Sequence, residues 1–134
     1  MPETPCYRCW QVANTRQDGS LSTIHANSAA DAISRLETMV MLSTNIPIEA
    51  LRRQIASGVD IIIHLGRLRD KSRHVLEITE VLPDDKKVIT TRTLFAFEET
   101  GQEDKRIVGE LVKKNDLSGT EKLARAGICY EEKN

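Results

Sequence analysis

Apolar positions along this chain recur first with a helical and then with a strand period. Ile33, Leu36 and Val40 fall on one helix face at spacings of three and four, Ala29 and Met39 widen the stripe, and Arg35, Glu37 and Thr38 lie elsewhere. Asn27 and Ser28 offer N-cap oxygens, and Asp31 stands three residues beyond Ser28 as in a capping box, so a helix is predicted to begin there. Ile48, Leu51 and Ile55 form a second apolar face, opened by Pro47 and closed by Gly58, with Arg52, Arg53 and Gln54 on other faces. From Val59 the pattern turns to β. The run Val59–Leu65 is rich in β-branched residues and nearly continuous, which predicts a strand buried on both faces. Val75–Leu82, Val88–Phe97 and Arg106–Leu111 read as further strands, and the polar connections Asp70–Ser72 and Pro83–Lys86 are short enough for antiparallel hairpins.

Upstream, the turn signal Asp18-Gly19-Ser20 precedes Leu21–His25, which reads as a short strand. The acidic stretch Glu98–Asp104 reads as a loop, and Leu117–Ala126 as a closing helix ended by Gly127. Residues 1–10 carry two prolines and no periodicity, so they are expected to be irregular. The order strand, helix, helix, strand is a crossover of the kind that joins parallel strands. An α/β fold follows, with Leu21–His25 and Val59–Leu65 in one short parallel sheet, two helices, and antiparallel strands after them. Parallel sheets normally have more members, so this one is expected to lack neighbours and to leave an edge exposed.

Composition narrows the functional classes. The 134 residues suit one domain, and 40% hydrophobic with 29% charged residues describes a folded chain. Nineteen basic residues against twenty acidic ones give a net charge of −1, which draws the chain neither to nucleic acid nor to an anionic membrane. Val59–Leu65, the longest apolar run, is too short to span a bilayer, and no signal-peptide pattern opens the sequence, so a cytoplasmic location is expected. Three cysteines do not make a disulfide framework. Cys6 and Cys9 have C-x-x-C spacing, but no second pair completes four zinc ligands, and no metal site is expected.

The residues Asn14-Thr15, the stretch Asp18 to Ser28 (DGSLSTIHANS), Ser34 to Val40 (SRLETMV), His64-Leu65 and Arg67 to Asp70 closely resemble the C-terminal half of the type II/type IV secretion-system ATPases. The nearest branch is similar to the Flp (tight-adherence) pilus assembly ATPases, and the similarity runs from about Gln11 to about Ile128. The resemblance implies the C-terminal half of a RecA-like P-loop NTPase domain over residues 11–128, with a divergent segment 1–10 before it and a tail 129–134 after it. It further implies ATP with magnesium as the family's cofactors. Hexameric rings, inner-membrane platform proteins as partners and a cytoplasmic site peripheral to that membrane are also implied.

Within that resemblance His25 matches the His box and is the candidate catalytic residue, and Thr23 with His25 would lie beside the nucleotide phosphates. An imidazole at a strand end can donate to a phosphate oxygen or to attacking water. Spacing alone favours instead a histidine bonded to a neighbouring backbone carbonyl, and it is the resemblance that reverses this for His25. The P-loop pattern G-x-x-x-x-G-K-[ST] does not occur in the sequence, and the Walker B strand expected before Asn14 is not matched. A partial ATPase that binds no nucleotide tightly alone is therefore expected. The alternative is a non-enzymatic module docking on a full-length ATPase or a platform protein through the exposed sheet edge. In the basic run RLRDKSRH, the guanidiniums Arg67, Arg69 and Arg73 are candidates for a subunit interface or a phosphate, although from sequence alone a solvated hairpin tip around Asp70 is the favoured account.

Overall fold

The computed structural model describes residue 19 and residues 21–82 and 88–129. The chain order is α1 (Ala29–Ser43), α2 (Ile48–Gly58), β1 (Ile61–Arg67), β2 (Arg73–Leu82), β3 (Thr90–Glu103), β4 (Arg106–Lys113) and α3 (Glu121–Arg125). The Ser28 hydroxyl accepts from Asp31 N–H at 3.0 Å, and the Asp31 carboxylate reaches back to Asn27 N–H at 2.9 Å. Two backbone donors at the start of α1 are thus met by side chains. Val40, Leu51 and Ile55 are almost fully buried and form the core between α1 and α2, joined by Leu36, Ile46, Ile48, Val59 and Ile89. Glu37 and Arg52 add a cross-helix pair, with Arg52 Nε donating to Glu37 Oε1 at 2.9 Å.

The sheet is a four-stranded meander in the order β1-β2-β3-β4, antiparallel at every pairing. The expected parallel pair is therefore corrected. Leu21–His25 forms no strand, and all five of its residues are exposed, with Leu21 98% accessible. An extended segment with neither a ladder partner nor a buried face has nothing to hold it in a sheet. The second correction concerns β1. Its exposure alternates, leaving Ile61, Ile63 and Leu65 39%, 55% and 67% accessible, because β1 is an edge strand with one face uncovered among the described residues.

A third correction is that Glu98–Asp104 is no loop. β3 and β4 run on as a hairpin with Glu98 opposite Glu110 and Glu103 opposite Arg106. Asp104 and Lys105 make its two-residue tip, both at positive φ as a hairpin turn of matching twist requires. The β1–β2 turn at Asp70–Ser72 forms as expected, whereas Pro83–Lys86 lies outside the described residues. The closing helix is shorter than its pattern. α3 has five residues, ends in a Gly127 of positive φ, and is capped by Gly127 N–H on Ala124 and Ile128 N–H on Leu123.

Candidate functional site

Thr23 and His25 lie in the extended segment that feeds α1. Both side chains are exposed, and neither makes a hydrogen bond or ion pair with another described residue. No backbone carbonyl among the described residues accepts from the His25 ring. His25 stands three residues before the Ser28 cap, so its position is fixed by where α1 begins rather than by packing of its own ring.

The three arginines of the basic run separate into two environments. Arg69 forms a two-point pair with Glu99, Nη1 donating to Oε2 at 2.8 Å and Nη2 to Oε1, and this pairing stabilises its charged form. That guanidinium serves to tie the β1–β2 turn to β3. Arg67 and Arg73 instead face each other across the β1–β2 ladder, both exposed and neither with an acidic partner among the described residues. Asp70 cannot supply one. Its Oδ1 accepts from the Ser72 hydroxyl at 2.5 Å and Ser72 N–H at 3.0 Å, and its Oδ2 accepts from Ile107 N–H at 2.8 Å. The Ser72 hydroxyl, with the Ile107 amide next, holds the Asp70 carboxyl at about 2, against the opposing effect of burial. His74 is also engaged, its Nε2 3.1 Å from the Ser72 oxygen and its ring 5.1 Å from that of Phe97.

A cluster that sequence reasoning missed is built around Glu80. This residue is 3% accessible, near the C-terminal end of β2, and its carboxylate accepts from Ser118 N–H at 3.1 Å, Ser118 Oγ at 2.8 Å and Gly119 N–H at 2.7 Å. Burial raises its pKa, but the Ser118 and Gly119 donors and the charge of Arg92 outweigh that and leave it lowered. On either side of this grip, Asn115 bonds the Thr93 carbonyl at 2.8 Å and Lys122 bonds Asp60 at 2.7 Å. The segment after β4 therefore crosses back over β3, β2 and the start of β1 as a clasp. The one signal in the sequence was a charged residue inside the run Ile78-Thr79-Glu80-Val81-Leu82.

Chemically, the described residues offer oxyanion donors rather than a complete reaction centre. His25, Thr23, Arg67 and Arg73 can each donate to an anionic oxygen. No group of three His, Cys, Asp or Glu side chains that could hold a metal ion occurs among the described residues, and Cys6 and Cys9 lie outside them. The donor set present does not fit a triphosphate with its magnesium: it includes neither a glycine-rich phosphate loop nor an acidic cluster. No helix among the described residues is long and apolar enough to cross a membrane.

Two proteins of Mycobacterium tuberculosis, from strains CDC 1551 and H37Rv, each bearing the name conjugal transfer protein, are 32% identical to this chain over 65 residues. That stretch is 48% of this chain and 18% of each relative, so the chain matches about a fifth of their length. A far longer match is to the family described as "Type II/IV secretion system protein", which covers residues 8–125 and so takes in the segment of Thr23 and His25, both long helices, the whole sheet and the clasp. By that match the chain belongs to the type II/IV secretion system protein family.

Proposed function

We propose that this chain is the C-terminal portion of an ATPase that powers pilus assembly or type II/IV protein secretion, with the Flp (tight-adherence) pilus ATPases as its branch. The observation that carries the reading is the family match over residues 8–125. The conjugal transfer relatives support it, since their name too describes a transfer machine. In this reading residues 11–128 are part of a RecA-like P-loop NTPase domain. The domain works in a hexameric ring on the cytoplasmic side of the inner membrane, against platform proteins. Thr23 and His25 then face the γ-phosphate, where an imidazole N–H donates to the oxygen that gains charge during transfer. Their exposure leaves both side chains available for that contact.

Because its own donors do not include a phosphate cradle, the chain alone neither binds ATP tightly nor turns it over. Steady-state phosphate release by the purified chain with ATP and magnesium is expected to stay at background. Release that is lost in a His25→Ala variant would refute this.

A second reading has its own support in the exposed edge strand β1, with Ile61, Ile63 and Leu65 accessible. Here the chain is a non-enzymatic module that docks on a full-length ATPase or platform protein. Sequencing upstream of Met1 separates the two: an in-frame P-loop favours the ATPase portion, and a ribosome-binding site without one favours the module.

A further inference from the structure

The exposed face of β1 has an order that the edge-docking reading leaves unused. Ile61, Ile63, Leu65 and Arg67 point to one side, and their partners across the ladder are Glu80, Ile78, Val75 and Arg73. Two of the four rows are aliphatic, Ile63 with Ile78 and Leu65 with Val75. At one end the surface is closed by the clasp, where Glu80 is fully occupied by Ser118 and Gly119. At the other end stand two guanidiniums directly opposite each other. Like charges in that position repel, and an acid placed between them would remove the repulsion. No acid among the described residues pairs with either arginine: Asp70 is taken by Ser72 and Ile107, Glu99 by Arg69, and Glu98 by Lys114.

We propose that this face binds a peptide segment of a partner protein that carries an acidic side chain followed by aliphatic ones. The acid seats between Arg67 and Arg73, and the aliphatic residues lie on Leu65, Val75, Ile63 and Ile78. Successive rows are two residues apart, about 6.6 Å along the strand, so an extended ligand meets them with every second side chain over about 20 Å. The aliphatic rows reward apolar burial and the arginine row fixes the ligand's direction. An extended polyanion or an anionic bilayer fits less well. The face offers one basic row beside aliphatic ones, and Glu99 of β3 stands against the neighbouring turn, so it suits a single carboxylate rather than a broad negative surface.

This inference rests on the interaction-module reading and specifies its partner's chemistry. The probe is a blocked synthetic heptapeptide with an aspartate at its first position and leucine, valine and isoleucine at alternate positions after it, titrated into the ¹⁵N-labelled chain. Saturable shifts are expected at Ile63, Leu65, Arg67, Arg73 and Val75. The same peptide with asparagine for aspartate should bind roughly fivefold more weakly, as should the original peptide to an Arg73→Gln variant. Leu65→Ser should weaken both peptides alike. Equal binding of the aspartate and asparagine peptides, or shifts that map elsewhere, would overturn the proposal. So would retention of the chain on phosphatidylglycerol vesicles with no peptide response. Capture of a full-length ATPase or platform protein by a chain that ignores the peptide would sink only this inference and leave the module reading standing.

Discussion

The clasp over the sheet gives the sharpest prediction, because its anchor is one residue. α3 buries none of its side chains, so the segment from Asn115 to Ile128 is held by polar anchors rather than by a core of its own. Glu80 accepts three hydrogen bonds there, and bonds to a charged acceptor are worth about 1.5–3 kcal/mol each. Ser118 and Gly119 are themselves exposed, so their donors return to water once released, which puts each bond at the low end. Glu80→Ala should therefore weaken the clasp by about 4–5 kcal/mol. Glu80→Gln retains the shape but turns an N–H₂ toward one pair of donors, and should cost about half as much. Hydrogen exchange reads the effect directly: the Ala124, Ala126 and Ile128 amides, all bonded within the α3 region, should lose protection before the β2–β3 ladder does. The pH dependence has a definite sign. Since the folded-state pKa is lowered, the stabilisation is complete above the ordinary glutamate value of about 4.3 and fades as pH falls through the lowered value. Glu80→Gln should abolish that dependence. Unchanged exchange in α3 for Glu80→Ala would refute the view that this carboxylate holds the clasp.

Three further outcomes are expected. Thr79 is 1% accessible and its hydroxyl has no partner among the described residues, so Thr79→Val should raise the midpoint of urea unfolding by the equivalent of about 1 kcal/mol; a lowered midpoint would point to a bond on that oxygen. At Gly109 a Cβ would lie 2.5 Å from the Glu98 carbonyl oxygen and 2.5 Å from Phe97 Cζ, so Gly109→Ala should cost about 1–3 kcal/mol in thermal unfolding, and an unchanged melt would contradict the close strand approach. The Asp70 carboxyl, held at about 2 by the Ser72 hydroxyl and the Ile107 amide, should titrate well below other aspartates in ¹³C NMR. Its tie to β4 should persist above about pH 3.9 and loosen as pH falls through 2, whereas titration in the ordinary range would contradict the bond to Ile107.

The helices were legible because each carried its own punctuation. Ser28 and Asp31 cap α1 as their spacing announces, and the Leu51–Ile55 stripe is buried as its period requires. The sheet was half legible. Runs rich in β-branched residues marked the strands, but pairing direction depends on which neighbours exist, and a run such as Val59–Leu65 has the same composition whether both faces are covered or one. The β3–β4 hairpin was hidden for a different reason: its tip puts Asp104 and Lys105 at positive φ without a glycine, and glycine is the residue that usually reveals such a turn. The clasp was hidden because Ser118, Gly119 and Glu80 are about forty residues apart, and only the closed fold brings them into one hydrogen-bonded group.

The same distinction applies to the functional residues. Arg67, Arg69 and Arg73 look equivalent in sequence, but strand register makes them different. Positions 67 and 73 are opposed in the ladder and share a face, while position 69 lies in the turn, where its long side chain reaches Glu99 on the next strand. A guanidinium already gripping a carboxylate at two points must give up that pair before it can hold another anion, and one facing a like charge gains from every anion it meets. Of the three, Arg67 and Arg73 are therefore the pair to expect at an interface, with Arg69 as the brace that keeps their turn in place. His25 and Thr23 differ from all three in having no brace. Nothing in the described residues fixes the imidazole, so any part it takes in phosphate chemistry requires a surface, from the rest of the machine, against which it can be oriented.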